Sequence, residues 1–334
     1  MTRIAVVGVG AMGRNHARVC SEIPEADLVA VVDENQAFAE TAARLHGANA
    51  YKSHAKMLEV ERPDAAIVAV PTQAHHRVAT DLLEAGCNVL VEKPIAATLQ
   101  EAQEIVDLAE KKDLVLMVGH IERYNPAITE LKRRLDAGEL GRSFQIHARR
   151  LGPFPARIRD VGVVVDLATH DLDIMRYLTG SEVVRVYAEA NREIHTSNED
   201  LFTGMARFAD GTLGLLEINW LTPTKIRELY VTGERGMFHA DYLLQDLSFF
   251  ENADVNGERW STMDVLRGVS EGAMTRFAIK KKEPLRAEVE AFVAAVDGDA
   301  SQVVKGSDGM AALALALSMI ESTQSHQVKE INPQ

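Results

Sequence analysis

The chain has 334 residues, 46% of them hydrophobic and 25% charged, with a formal net charge of −13. That length supports two domains with separate cores, and the composition is ordinary for a globular protein. The excess of 49 Asp and Glu over 36 Lys and Arg excludes general nucleic-acid binding, which needs a basic footprint. Cys20 and Cys87 form no zinc-ligand or redox pattern and suit a reducing cytoplasm. Met1-Thr2-Arg3 leads into an apolar run broken by glycines, which does not read as a signal peptide. The most apolar late stretch, residues 311–320, is too short to span a bilayer. A cytoplasmic protein off the membrane is expected.

Ile4-Ala5-Val6-Val7 reads as a buried strand, short, β-rich and ended by glycine. Gly8-Val9-Gly10-Ala11-Met12-Gly13 follows, then a helical run to about Glu22 and a second strand, Leu28 to Val32. This is a GxGxxG motif in the strand–turn–helix–strand setting that gives it meaning. Gly8 allows a tight turn, Gly10 lets backbone approach a pyrophosphate, and Gly13 lets the helix lie close to the sheet. The amides opening the helix, at Ala11 and Met12, then face phosphates. Asp33 ends the second strand, twenty residues after Gly13. An acid there accepts hydrogen bonds from a ribose diol and repels a 2′-phosphate, so NAD is expected over NADP.

The alternation continues with strands at Ala65–Val70, Asn88–Val91 and Leu114–Val118, separated by helical runs at 74–85 and 99–111. Strands alternating with helices predict a doubly wound parallel α/β sheet, with ligands beyond the carboxyl ends of its strands. Along that edge fall Pro71-Thr72, Glu92-Lys93-Pro94 and Gly119-His120, and His75, at a helix start, is expected to be solvated or next to the cofactor. Lys93 can donate to a substrate oxygen and stabilise negative charge there; a surface lysine after a strand is the plain alternative.

After about residue 120 the texture changes. Pro126 to Ala137 reads as a helix and Phe144 to Arg150 as a strand. The segment 149–160 reads as a loop carrying Arg149, Arg150, Arg157 and Arg159, and planar guanidinium forks suit phosphate. Surface salt bridges would explain the same arginines. A helix then opens, placing Asp166, His170 and Asp173 at i, i+4 and i+7 on one stripe. A carboxylate orienting an imidazole is the usual setting of a general base, and an acidic helix start is the bland alternative. From Val183 to Asp241 the runs are strand-like with short turns, Asp210-Gly211 among them, predicting a largely antiparallel open sheet in an α+β domain. Helices 124–137 and 166–178 are candidates to cover one face. The other face would serve a homo-oligomer, dimer or tetramer. The domains are thus read as 1–120 and 121–334.

Gly8–Gly13, Glu92-Lys93-Pro94, the Asp166/His170 pair, Glu283-Pro284-Leu285 and the helix from about Asp308 together resemble the Gfo/Idh/MocA family of oxidoreductases. The resemblance covers nearly the whole chain. It implies hydride transfer between NAD and a sugar-like hydroxyl, with Lys93, Asp166 and His170 around the reacting carbon. Two further stretches, Gly119-His120-Ile121-Glu122-Arg123-Tyr124-Asn125-Pro126 and 149–163, resemble a subgroup that oxidises UDP-N-acetylglucosamine at the sugar 3-hydroxyl. On that reading His120, Arg123, Tyr124, Arg149, Arg157 and Arg159 belong to the side that receives a nucleotide-sugar. His170 would take the hydroxyl proton with Asp166 orienting it, while Lys93 donates to the forming carbonyl; Lys93 and His170 could exchange these roles. Inositol or a simple sugar as substrate, the reverse reduction of a carbonyl or imine, and a non-catalytic NAD-binding sensor are the competing readings. No metal is implied.

Overall fold

The computed structural model describes residues 1–155, 162–194, 197–253 and 271–331. The described chain divides into two compact units, Met1–Tyr124 with Lys282–Ala314, and Asn125–Lys281 with Leu315–Gln334. By this division residues 282–314 belong with the first unit, whereas the sequence assigns them to a second domain of residues 121–334.

In the first unit, six strands form a parallel sheet: β1 (Thr2–Val7), β2 (Ala26–Val32), β3 (Asn49–Tyr51), β4 (Ala65–Val68), β5 (Asn88–Glu92) and β6 (Leu116–Gly119). Their order is β3-β2-β1-β4-β5-β6. The first strand lies inside the sheet and the order reverses beside it, which is the doubly wound arrangement with its switch point between β1 and β4. β1, β4 and β5 are almost wholly buried, as strands covered on both faces must be. The helices are α1 (Ala11–Glu22), α2 (Gln36–His46), α3 (His54–Glu61), α4 (His75–Glu84) and α5 (Leu99–Lys112). Their ends carry local signals: Asn35 caps α2 and Gly47 ends it, and Thr98 with Glu101 forms a capping box on α5. The returning segment supplies α8 (Pro284–Val296), whose Leu285, Val289 and Phe292 join the core beside Val9, Ala17 and Tyr124.

The second unit holds α6 (Pro126–Asp136), α7 (Thr169–Thr179) and a nine-stranded sheet. Its strands are β7 (Ser143–Pro153), β8 (Val183–Asn191), β9 (Leu201–Phe208), β10 (Leu213–Asn219), β11 (Leu221–Gly233), β12 (Gly236–Asp241), β13 (Asp246–Asn252), β14 (Glu271–Arg276) and β15 (Lys329–Glu330). The order is β14-β13-β12-β11-β7-β10-β9-β8-β15. Only the pairing of β7 with β10 is parallel; the others are antiparallel. Gly211 (φ +92°) makes the turn between β9 and β10, in the place expected. One face of the sheet is covered by Ile128 and Leu131 of α6, Leu172 and Met175 of α7, and Leu315 and Met319 from the end of α9 (Gly306–Ser325). No described helix is long and apolar enough to cross a membrane.

Candidate active site

The glycine turn is built by steric exclusion. Gly8 adopts φ +88°, and a Cβ on it would lie 2.6 Å from the Ala69 carbonyl oxygen. A Cβ on Gly13 would come within 1.7 Å of the Gly8 carbonyl oxygen. Both are therefore demanded by the chain itself. Gly10 is different: a Cβ there meets nothing within 4 Å, so its lack of a side chain clears space rather than relieving a clash. Gly10 is also the N-cap of α1, no side chain caps that helix and no acid occupies its first turn. The amides from Ala11 and Met12 onward are thus left for an anion.

Asp33 stands just past β2. Its Oδ2 accepts from the Val9 amide at 2.9 Å and its Oδ1 from the Asn35 amide at 2.9 Å. These bonds fix the carboxylate beside the glycine turn, and each oxygen keeps a further acceptor site for a hydroxyl. Pro71 is exposed and Thr72 partly so, at the start of a short 3₁₀ turn after β4. An open Gly10, an uncapped helix and an anchored acid after the second strand are features that fit NAD.

His75 departs from expectation. It is buried, with Nδ1 2.8 Å from the Pro94 carbonyl and Nε2 2.9 Å from the Val70 carbonyl. Burial lowers its pKa, and a neutral ring donates to only one of the two. Both nitrogens are turned onto protein carbonyls, so His75 ties the loop after β4 to the loop after β5 instead of reaching a cofactor.

Glu92 ends β5, and half-buried Lys93 follows it. His16 of α1 is fully buried and its Nε2 lies 2.7 Å from Glu92 Oε1. A carboxylate can only accept, so the imidazole donates. Burial pushes the Glu92 carboxyl up, but the bond and charge of His16, then Lys93 and His75, outweigh it and the net shift is down. Glu288 of α8 is wholly buried, and neither carboxyl oxygen has a hydrogen-bond partner among the described residues. Burial, then the neighbouring Glu92 charge, pushes its pKa well above the usual range. His16 and Glu288 were not singled out from sequence. Only a spacing inside α1 and an acid in an apolar helix face could have drawn attention to them.

In the second unit, Asp166 and His170 lie where the chain enters α7. The turn Val164–Ala168 is a π turn, so the α-helical stripe does not run unbroken from residue 166. Asp166 and His170 are half-buried while Asp173 is fully buried. The first two belong to the accessible start of the helix and the third to its core side. π turns occur mostly as single-turn interruptions of α-helices, frequently at functional sites. Beside them, Arg150 Nε donates to Asp171 Oδ2 at 2.7 Å and Nη2 to Oδ1 at 2.9 Å. Both side chains are at most 5% exposed, and the guanidinium lies over the Tyr242 ring at 5.3 Å. This buried fork holds the residue next to His170.

Several expected ligand contacts fall elsewhere. Arg149 is not in a loop, because β7 runs on to Pro153. Alternation turns Ile146, Ala148 and Arg150 toward α7 and leaves His147 and Arg149 on the opposite face. There Arg149 meets its cross-strand neighbours Glu217 and Glu228 at 2.8 and 3.4 Å, so it does not join Asp166 and His170. His120 is buried after β6. Arg123 pairs with Asp308 at 3.2 Å, and the buried Tyr124 donates its hydroxyl to the Gln302 carbonyl. Both bind the returning segment. Arg157 and Arg159 lie outside the described residues. Among those described, no group of three His, Cys, Asp or Glu side chains is placed to hold a metal ion.

Comparison with known proteins agrees with this architecture. Residues 2–120 match the Gfo/Idh/MocA oxidoreductase family, NAD-binding Rossmann fold, and residues 128–239 match the Gfo/Idh/MocA C-terminal domain. The chain is 32% identical over 316 residues to UDP-N-acetylglucosamine 3-dehydrogenase of Acidithiobacillus ferrooxidans, covering 94% of this chain and 95% of that protein. It is 25% identical over 343 residues to myo-inositol 2-dehydrogenase of Thermotoga maritima, covering 98% and 99%. A solved structure of the Acidithiobacillus ferrooxidans enzyme superposes with a TM-score of 0.84 over 97% of this chain and 98% of that one, at 29% identity. The chain belongs to the Gfo/Idh/MocA family and is an NAD-dependent dehydrogenase acting on a CH–OH group.

Proposed function

We propose that the substrate is UDP-N-acetylglucosamine and that its sugar 3-hydroxyl is oxidised to the ketone. The observation that carries this reading is the 32% identity to a UDP-N-acetylglucosamine 3-dehydrogenase along almost the full length of both chains. NAD, when bound, supplies the hydride acceptor. The chain's own residues hold it at Gly8–Gly13, Asp33, Pro71, Thr72 and Glu92. His170 takes the hydroxyl proton and Asp166 orients the ring and favours its charged form. Lys93 donates to the oxygen as the carbonyl forms; the reverse assignment of base and donor uses the same three residues. Arg157 and Arg159 supply the forks for the pyrophosphate. The uncovered sheet face makes a homo-oligomer: Met205, Phe250 and Met274, each 39% or more exposed, lie on it, and sedimentation velocity would reveal a dimer or tetramer.

A panel of UDP-sugars and free polyols, scored by NADH absorbance, tests the substrate. Reduction with UDP-N-acetylglucosamine supports the reading. Reduction with myo-inositol and no UDP-sugar establishes the second reading, which the inositol dehydrogenases among the relatives favour. Lys93→Met and His170→Ala should each lower kcat by ~10²–10⁴-fold with NADH still bound. Near-normal turnover in both would remove them from the chemistry.

A further inference from the structure

The π turn Val164–Ala168 that leads into α7 opens on Val163, which offers no side-chain cap. Its first amides therefore need acceptors from elsewhere. Glu199, just before β9, supplies them. Its carbonyl oxygen accepts the Val163 amide at 2.9 Å, and its Oε1 accepts the Val164 amide at 3.3 Å. The same carboxylate is packed onto Gly162. A Cβ there would lie 2.0 Å from Glu199 Oε1, 2.1 Å from its Cδ and 2.3 Å from its Oε2. The acid thus occupies the space of the side chain that Gly162 lacks. Gly162 in turn accepts the Asp166 amide on its carbonyl oxygen at 3.1 Å. A negative group at this positive helix end is electrostatically favoured as well.

Glu199 hangs from a fixed base. Asp200, fully buried, donates its amide to the Asn191 carbonyl at 3.0 Å and accepts the Trp220 amide on its own carbonyl at 2.9 Å. Its carboxylate accepts the amides of Glu193 and Ile194 at 2.9 and 2.6 Å. A Ser or Asp at the helix start itself would satisfy the free amides locally. Such a cap would leave the entry into the helix free to pivot. A cap carried by the connection between β8 and β9 ties that entry to the sheet. We propose that Glu199 is a positioning residue for Asp166 and His170, acting through residues 162–164. The inference rests on the reading of Asp166 and His170 as catalytic.

The test uses full-length Glu199→Ala, Glu199→Gln, Gly162→Ala, Ser53→Ala and His170→Ala with NAD and whichever panel substrate reduces it. The measurements are kcat, NADH affinity by fluorescence quenching, and thermal melting. Glu199→Ala should lose about 10–100-fold in kcat while binding NADH within about threefold of the parent, the pattern of a misplaced reacting group. Glu199→Gln keeps an acceptor oxygen of the same reach and should stay within about threefold of parental kcat. Gly162→Ala drives the carboxylate out and should lose kcat on the same scale. Combined with Glu199→Ala it should add less than about threefold, because one interaction is lost only once. Ser53→Ala removes a structural cap from α3 and should melt lower with kcat unchanged. Parental kcat in Glu199→Ala overturns the inference. So does Glu199→Gln as impaired as Glu199→Ala, a double variant whose losses multiply, or an equal loss of kcat in Ser53→Ala. If Glu199→Ala does not fold, Gly162→Ala beside Glu199→Gln decides by the same criteria. Parental turnover in His170→Ala removes the underlying reading, whereas an inactive His170→Ala beside a fully active Glu199→Ala removes this inference alone.

Discussion

Each unit buries a charged cluster beside a residue assigned to the chemistry, and the two clusters are built on opposite principles. In the second unit Arg150 and Asp171 satisfy one another with two parallel bonds of 2.7 and 2.9 Å. In the first, His16 and Glu92 satisfy one another while Glu288 stands within the influence of Glu92 and bonded to nothing described. A closed pair holds a helix start rigid and depends on both members. An open set leaves polar capacity in the core, where it costs stability and keeps a carboxyl protonated at a chosen place.

The largest expected effect tests the closed pair. Arg150→Met strands the Asp171 carboxylate and should cost about 3–5 kcal/mol, seen as a large fall in the denaturant midpoint of the second unit. The double variant Arg150→Met, Asp171→Leu removes both charges and should recover most of that loss, since a buried pair replaced by apolar groups is often neutral. A double variant as unstable as the single would show that the pair contributes more than mutual neutralisation.

The open set should respond in the other direction and depend on pH. Burial and the Glu92 charge raise the folded pKa of Glu288, whereas unfolded glutamate titrates near 4.3. The folded chain therefore holds a proton that the unfolded chain has lost. The parent loses stability as pH rises above about 4.3, until the folded pKa is passed. Glu288→Gln cannot ionise, so its melting temperature should match the parent near pH 4 and exceed it increasingly toward neutrality. A constant difference across that range would mean Glu288 titrates normally. Glu92, shifted down by His16, contributes oppositely, which is why the variant is compared with the parent at each pH.

The smallest effect concerns the partly exposed Arg149. Replacing it by Gln breaks bonds to Glu217 and Glu228 on a partly solvated face and should cost under about 1 kcal/mol. If the same change abolishes turnover at unchanged stability, the arginine does more than bridge strands.

The parts legible in the sequence were those written at short range. The glycine motif, its strand–helix–strand frame and Asp33 need only a few neighbours in sequence to be recognised, and steric exclusion at Gly8 and Gly13 confirms why they are glycines. Period-two and helical patterns likewise gave the parallel sheet, the antiparallel sheet and the helices that cover it. β3 and the helices between Asp33 and Ala65 are not legible in the sequence, because their short mixed runs show neither period clearly. In the sequence Arg149 and Arg150 read as parts of one loop, because nothing local says that β7 continues to Pro153. Once it does, adjacent residues must face opposite sides of the sheet, and the two arginines acquire unrelated roles.

The amino-acid sequence by itself therefore determined the fold class, the cofactor and the family chemistry, since these rest on spacings that local backbone geometry enforces. Tertiary structure alone decided what surrounds those residues. It returned residues 282–314 to the first unit and buried Glu288 completely, with neither carboxyl oxygen bonded to a described residue. It also turned His75 and Tyr124 onto backbone carbonyls. Burial, pairing and protonation depend on neighbours brought from far along the chain, and no spacing within one segment encodes them.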